Sequence, residues 1–170
     1  LNRDPAIIKK FGDKAVFFEH ELINRLSYSY EWSVSMLIDA AEHTLKLQEL
    51  LLEKNLSLKD ATPYNIQFRG SQPVFIDLGS IEKVSRNGIW IAYNQFCQMF
   101  LYPILMFQFG VSNLNTINLT HLDGLTLEET VSALGLRPYR KYGLIIDYLI
   151  PSIFIKLKRF KNTDITQKTI

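Results

Sequence analysis

Two aspartates and one asparagine lie close together in the segment LKDATPYNIQFRGSQPVFIDLGS, residues 58–80. Four residues separate Asp60 from Asn65, and Asp77 follows Asn65 by twelve positions. Carboxylate and amide oxygens are ligands that Mg²⁺ accepts, usually together with phosphate and water oxygens. Phosphoryl transfer also needs an aspartate that orients the acceptor hydroxyl and takes its proton. The residue types and spacing therefore favour Mg²⁺-dependent phosphoryl transfer.

A purely structural interpretation of these residues competes with the chemical one. Asp and Asn are common in turns because their side chains bond to nearby backbone groups. Asp60 and Asn65 would then only shape the loop around Pro63. The chemical interpretation gains weight from the elements around the loop, which are a helix before it and a hairpin after it.

Other reactive residue types give no comparable pattern. His20, His43 and His121 are far apart, and no pair has the spacing of a zinc site. Cys97 lies in an apolar stretch, which predicts a buried thiol. A hydrolase triad has no support, because none of three candidate serines has a His–Asp partner nearby in the sequence: Ser33, Ser35 and Ser80.

The elements that must position the segment are a long helix and a hairpin. Residues 31–54 contain neither Gly nor Pro, and their apolar positions recur mostly every three or four residues: Val34, Leu37, Ile38, Ala41, Leu45, Leu47, Leu50 and Leu51. Residues 66–68 and 74–76 read as short strands around a turn rich in Gly and Pro. At the helix start, Tyr30, Glu31 and Trp32 either line a pocket or anchor the helix, and the sequence favours anchoring.

Residues 87–120 contain no Asp, Glu, Lys or Arg. A membrane span is one interpretation. Asn94, Gln95, Gln98 and Pro103 interrupt the apolar run and favour a buried helix pair broken near Pro103. Residues 113–118 read as a loop.

Two more helices are expected towards the carboxyl end. Thr126 and Glu129 fit a helix start with a capping box, and that helix should end near Gly135. A last apolar helix should run from 139 to 160, kinked at Pro151. Its basic flanks suit anionic lipid or nucleic acid, but a solvated helix end is favoured.

The composition is that of one globular domain, with or without an appendage. Of the 170 residues, 47% are hydrophobic and 21% charged, and the net charge is +2. A single cysteine excludes an internal disulfide and favours a reducing compartment, and no secretory signal is present. We therefore expect a cytoplasmic protein. The first residue is Leu1, which suggests an excerpt of a longer protein.

The motifs DATPYN and IDLG, in this order after a long helix, resemble those of the carboxy-terminal lobe of the protein-kinase-like superfamily, including the aminoglycoside phosphotransferase branch. A closer resemblance, carried by YEWSVSML, LKDATPYNIQF, PVFIDLGS and WIAYNQFCQMFLYPI, is to a bacterial kinase-like domain found ahead of S-adenosylmethionine-dependent methyltransferase domains. The resemblance implies an α+β, mainly α fold with a small β-hairpin. Residues 31–170 would form the lobe, and residues 1–30 a remnant of an upstream lobe.

The resemblance also implies roles for individual residues. Asp60 would orient or deprotonate the acceptor hydroxyl. Asn65 and Asp77 would hold Mg²⁺ against the phosphates of ATP, and Gly79 would let the backbone turn after the metal ligand. The expected reaction transfers a phosphoryl group to a small-molecule or sugar hydroxyl.

Departures from the family pattern leave a rival function open. Leu58 stands where kinases carry a histidine, Lys59 stands where they carry Arg or Gly, and Thr62 replaces a lysine. The sequence shows no glycine-rich loop. The rival is a catalytically silent kinase-like module that accompanies a methyltransferase domain. A membrane-associated scaffold is a third interpretation, although membrane and nucleic-acid partners are not expected.

Overall fold

The computed structural model describes residues 20–85 and 88–150, together with residue 5. Over these residues the chain is mainly helical with two small antiparallel sheets, which confirms the predicted α+β, mainly α class. The predicted kink at Pro151 and most of the segment 1–30 lie outside the described residues. One hydrophobic core connects Trp32, before the first helix, with Tyr148 near residue 150.

The first helix, α1, spans Val34–Leu52 and confirms the long helix predicted over residues 31–54. Ser33 caps it, because its Oγ accepts a hydrogen bond from the backbone N–H of Met36. The side chains of α1 that are buried lie on one face: Leu37, Ala40, Ala41, Thr44, Gln48 and Leu51. The polar Gln48 thus occupies a core position, whereas Leu45 and Leu50 of the apolar pattern are exposed.

Four short strands follow α1, namely β1 (Leu56–Leu58), β2 (Ile66–Arg69), β3 (Gln72–Phe75) and β4 (Ile81–Lys83). β2 and β3 form the predicted hairpin, with Ile66 opposite Phe75. β1 pairs with β4, with Leu58 opposite Ile81. The β2–β3 hairpin is therefore enclosed by the β1–β4 pair.

The remaining described chain is helical, in segments separated by short turns: α2 (Tyr93–Phe96), a π-helical turn (Cys97–Leu101), α3 (Tyr102–Gln108), α4 (Leu114–Thr120), α5 (Leu127–Leu134), α6 (Arg137–Tyr142) and a second π-helical turn (Ile145–Leu149). The predicted capping box of Thr126 and Glu129 and the helix end at Gly135 are confirmed. Cys97 is buried, as expected.

Three predictions about this helical half are wrong. Residues 114–118 are helical rather than a loop, because α4 buries Leu114, Ile117 and Asn118 on one face. The predicted last helix is interrupted as well. α6 ends at Tyr142, and Gly143 adopts the left-handed conformation with φ +65°.

The predicted break near Pro103 is also wrong, because the helix continues through the proline. Pro103 lacks an N–H and cannot donate to the preceding turn. The π-helical turn absorbs this defect: Tyr102 N donates to Cys97 O, five residues earlier, which leaves Gln98 O without a helical donor. Leu125 N donates a hydrogen bond to Gln98 O at 2.9 Å. Residues 93–108 therefore form one continuous helix through Pro103, with a π-helical turn at Cys97–Leu101.

The described residues contain no helix that could cross a membrane. No described helix combines the length and the apolar character that a bilayer span requires.

Gly124 allows the close approach that supplies the bond to Gln98. Its φ is +88°, and a Cβ there would lie 2.8 Å from the carbonyl carbon and oxygen of Gln98 and from Met99 Cγ. We expect Gly124→Ala to lower the free energy of unfolding by about 3 kcal/mol, from the strained φ and the overpacking together. Urea denaturation measures this loss.

Gly143→Ala is the matched control for Gly124→Ala. Gly143 also has a positive φ, +65°, but a Cβ there would meet nothing within 4 Å. We expect it to lose only about 1 kcal/mol. Equal losses in the two variants would contradict the role given to Gly124.

Candidate functional site

The two nested strand pairs bring the residues of the predicted site to opposite sides of one loop. The register that pairs Leu58 with Ile81 continues in the hydrogen bond from Lys59 N to Ser80 O, 2.8 Å. On the hairpin side, Ile76 N donates to Asn65 O at 2.9 Å. Residues 59–65 and 76–80 thus form the two arms of an internal loop that is closed by a strand pair at each end. Asp60 and Asn65 lie on one arm, and Asp77 and Gly79 on the other.

The arm that carries Asp60 is fixed by side chains from distant elements. Gln48 Oε1 accepts from Leu58 N at 2.8 Å, and Trp90 Nε1 donates to Leu58 O at 2.9 Å. Gln95 Oε1 accepts from Ala61 N at 2.7 Å. These bonds satisfy the backbone on both sides of Asp60, because a buried backbone group without a partner is costly. The aspartate is therefore held on a rigid stretch of chain.

Ser80 connects the two candidate metal ligands. Its side chain is fully buried, and its Oγ donates a short hydrogen bond to Asp77 Oδ2. The same Oγ accepts from Asn65 Nδ2 at 3.2 Å. Gly79 N donates to Asp77 Oδ1 at 3.0 Å. Asn65, Ser80 and Asp77 thus form one chain of hydrogen bonds across the internal loop.

Gly79 leaves room for this carboxylate rather than adopting a special backbone conformation. Its φ lies outside the left-handed region, and a Cβ on it would lie 3.1 Å from Asp77 Oδ1. A larger residue would press against the oxygen that the Gly79 N–H binds. The small residue thus preserves the position of Asp77.

Asp60 stands apart from the Asn65–Ser80–Asp77 chain. Its side chain is half-buried, and within residues 20–85 and 88–150 it has no hydrogen-bond or ion-pair partner. Such a carboxylate is available to accept a proton or a hydrogen bond from a ligand. The structure places Asp60 in the same internal loop as Asn65 and Asp77 without a direct bond to either.

The donor set fits a hard divalent cation. Asn65 Nδ2 donates to Ser80 Oγ, and no described residue donates a hydrogen bond to Asn65 Oδ1. Each Asp77 oxygen accepts one bond and retains a lone pair. None of the three ion pairs in the described chain neutralises Asp60 or Asp77. Two protein ligands completed by phosphate and water oxygens are typical of Mg²⁺.

A cage made wholly of protein groups is absent from the described residues. No cluster of three or more His, Cys, Asp or Glu side chains occurs there. A separate open groove of about 450 Å³ lies between α1 and the β2–β3 turn, lined by Asp39, Glu42, His43, Lys46, Ser71, Gln72 and Pro73. None of the predicted site residues lines this groove. The candidate site is therefore identified by the geometry of the internal loop and not by the size of a groove.

Of the two interpretations of Tyr30, Glu31 and Trp32, the structure supports anchoring, and none of these residues lines a cavity reported for the described part of the chain. Trp32 is 1% exposed and packs edge-on against Phe68, with ring centroids 5.0 Å apart, so it anchors the chain before α1. Glu31 accepts from Tyr28 N at 2.8 Å. Tyr30 is half-buried and stacks on the exposed Tyr28.

The residues that sequence reasoning missed are those that fix the loop: Gln48, Ser80, Trp90 and Gln95. Gln48 gave a usable signal, because it lies at the buried positions of α1, four residues after Thr44 and three before Leu51. A polar residue on such a face needs a partner. Ser80, three residues after Asp77, has the spacing of a side chain that closes a tight turn. Trp90 and Gln95 gave no local signal.

No protein-family model matches the chain, and no solved structure matches it. The chain is similar to nodulation protein NoeA of Rhizobium meliloti (strain 1021), with 33% identity over 157 residues. This match covers 88% of the chain but 32% of NoeA. The chain therefore spans about a third of the length of this relative.

Ser80 makes the site testable independently of any ligand. We expect Ser80→Ala to lower the free energy of unfolding by about 2 kcal/mol, because Asn65 Nδ2 and Asp77 Oδ2 both lose their partner. Ser71→Ala, at an exposed position in the hairpin turn, should change it by less than about 0.5 kcal/mol. Urea denaturation measures the free energy of unfolding of both variants. A loss in Ser80→Ala as small as that in Ser71→Ala would show that the hydrogen bonds from Ser80 to Asn65 and Asp77 do not stabilise the protein.

Proposed function

We propose that the protein is a phosphotransferase domain of the kinase-like type, which uses Mg²⁺ and ATP to phosphorylate a hydroxyl group of a small molecule or sugar. The observation that carries this proposal is the internal loop, which holds Asn65 and Asp77 together through Ser80 and carries Asp60 on one of its two arms. Its support comes from geometry and from the resemblance of DATPYN and IDLG to kinase motifs. The similarity to NoeA, a nodulation protein, adds no reaction to this proposal.

In this proposal Asn65 Oδ1 and an Asp77 carboxylate oxygen bind the cation. The buried Ser80 hydroxyl and the Gly79 N–H orient these two ligands before any substrate arrives, which reduces the reorganisation needed on binding. When bound, Mg²⁺ supplies positive charge against the phosphate oxygens of the nucleotide.

Asp60 is the proposed acceptor of the proton. In the reaction, the acceptor oxygen forms a bond to the terminal phosphorus of ATP, the bond between that phosphorus and ADP breaks, and the hydroxyl proton passes to the Asp60 carboxylate. The bonds from Gln48, Trp90 and Gln95 hold this part of the loop, and a fixed carboxylate positions the acceptor in line with the phosphate.

A catalytically silent module that accompanies a methyltransferase domain is the second candidate. One observation favours it: both Asp77 oxygens already bond within a three-residue turn, to Gly79 and Ser80, which is also how a purely structural aspartate behaves. Leu58 in place of the kinase histidine agrees with this interpretation. In a silent module the same internal loop would serve to position a partner domain.

Thermal unfolding with Mg-ATP separates the two candidates. At a Mg-ATP concentration about 100 times its Kd, binding should stabilise the protein by about 2.7 kcal/mol and raise Tm by roughly 5–10 °C. We expect Asp77→Asn to lose this shift, because the amide offers a single uncharged oxygen to the cation. Asp39→Asn, an exposed carboxylate on α1, is the matched control and should keep the shift.

Two outcomes of this experiment would contradict the proposed cation site. A shift that Asp77→Asn retains would place Mg-ATP elsewhere on the protein. A folded wild-type protein that shows no shift with Mg-ATP, Mg-GTP or Mg²⁺ alone would favour the silent module.

Asp60→Asn tests the chemical step separately from binding. We expect this variant to keep the Mg-ATP shift, because Asp60 is not a proposed ligand of the cation. Its rate of ADP release with pooled neutral monosaccharides as acceptors should fall by at least about 100-fold, since the proton acceptor is lost. ADP release at the wild-type rate would exclude Asp60 from this role.

A further inference from the structure

Three tyrosines form a surface next to the proposed site, which we call the tyrosine platform: Tyr28, Tyr30 and Tyr64. The rings of Tyr28 and Tyr30 are stacked, with centroids 5.5 Å apart and an interplanar angle of 7°. Tyr28 is 46% exposed and Tyr64 38% exposed. Large aromatic side chains at this exposure mark a binding surface when they are grouped and rigid.

The backbone beneath Tyr28 and Tyr30 is held in place. The Glu31 carboxylate accepts from Tyr28 N at 2.8 Å. Asn115 Nδ2 donates to Tyr30 O, and Asn118 Nδ2 donates to Ser29 O at 3.1 Å. α4, which carries both asparagines, thus fixes the turn Ser29–Glu31. Because the backbone is already ordered, little of its entropy is lost when a ligand packs on the rings.

Tyr64 joins the platform to the internal loop. It lies between Asp60 and Asn65 in the sequence, and its Oη donates to Leu122 O at 3.1 Å. Tyr64 and Ser29 line the same small cavity, which places the Ser29–Glu31 turn against this part of the loop. Leu122 directly precedes Asp123 and Ser29 directly precedes Tyr30, so these contacts bring Tyr30, Tyr64 and Asp123 into one neighbourhood. Burial raises the pKa of Tyr64, and Asp123 and Tyr30 add to this effect.

The charge around the platform restricts what can bind there. The segments that build it, residues 27–33, 63–66 and 113–124, contain Glu31 and Asp123 but no Lys or Arg. His121 is the one basic side chain in these segments, and its Nε2 lies 3.6 Å from the Glu129 carboxylate. A phosphorylated ligand or a nucleic acid would meet no Lys or Arg from these segments, and recognition of phosphate depends chiefly on such cations. A neutral ligand with several hydroxyl groups instead finds carboxylate and phenol oxygens that accept its hydrogen bonds.

We propose that the tyrosine platform binds a neutral sugar ring. The C–H face of a pyranose packs on an aromatic ring, while its hydroxyls reach the Asp123 carboxylate and the tyrosine oxygens at the edge of the platform. Resting on the proposed function, the platform is the subsite that delivers the acceptor hydroxyl to Asp60, four residues before Tyr64. The substrate class of the enzyme is then a neutral saccharide.

An array of immobilised oligosaccharides tests this inference with labelled protein. We expect retention on neutral oligosaccharides and none specific to sulfated, phosphorylated or uronic-acid chains. Tyr28→Ala and Tyr64→Ala should each reduce retention at least fivefold, whereas Tyr64→Phe, which keeps the ring, should stay within about twofold of wild type. The matched control is Tyr139→Ala on α6, which is 37% exposed and should bind like wild type.

Several outcomes of the array would overturn the platform. These are no retention on neutral oligosaccharides, retention confined to acidic ones, and retention that Tyr28→Ala and Tyr64→Ala leave unchanged while both variants unfold at the wild-type temperature.

Comparing the oligosaccharide array with the Mg-ATP shift of the wild-type protein distinguishes a failure of the platform from a failure of the proposed function. Oligosaccharide binding without any Mg-ATP shift would keep the platform and contradict the phosphotransferase. A Mg-ATP shift without oligosaccharide binding would support the phosphotransferase and contradict the platform.

Discussion

The pairing of β1 with β4 around the β2–β3 hairpin is the constraint on which the site depends. Each of these two strands has three residues, so the pair alone offers few backbone hydrogen bonds. Gln48 from α1 and Trp90 add side-chain bonds to Leu58, and Ser80 O accepts from Lys59 N. The closed loop that results turns a sequence separation of twelve residues, Asn65 to Asp77, into one hydrogen-bonded chain.

Ser80 sits at the centre of this arrangement because it is a donor and an acceptor at once. It gives its proton to the Asp77 carboxylate and receives one from the Asn65 amide, and its burial excludes water from both bonds. The amide oxygen of Asn65 is left over by this pattern. In the proposed function, the bonds that stabilise the turn would also orient an oxygen pair for a cation, so the structural and chemical interpretations rest on one set of bonds.

The tyrosine platform, the proposed acceptor subsite, is likewise fixed by side chains from a distant element. Two asparagines of α4 fix the backbone of the Ser29–Glu31 turn. Tyr64 belongs to the internal loop and to the platform together. In our proposal, a ligand that packs on the platform would thereby lie against the loop that carries Asp60.

Features set by neighbours in sequence were predictable from the sequence. The length of α1, the β2–β3 hairpin and the capping box of Thr126 and Glu129 all depend on local patterns.

Features set by distant segments were not predictable from the sequence. The helix through Pro103 needs the hydrogen bond from Leu125 N to Gln98 O. No local sequence pattern predicts a donor 27 residues away. α4 forms because it packs against the Ser29–Glu31 turn, about 85 residues earlier. For the site, the sequence predicted that Asp60, Asn65 and Asp77 lie close together, and the structure places them on one internal loop. The link through Ser80 emerged only from the fold.

Paramagnetic NMR with Mn²⁺ as the probe tests most directly whether Asn65 and Asp77 hold a cation together. Mn²⁺ added at substoichiometric amounts with ATP should broaden the Asn65 side-chain amide and the Gly79 N–H first, and excess Mg²⁺ should restore both signals. Broadening centred instead on the Asp39–Glu42 groove, or equal broadening of exposed carboxylates across the surface, would contradict the account.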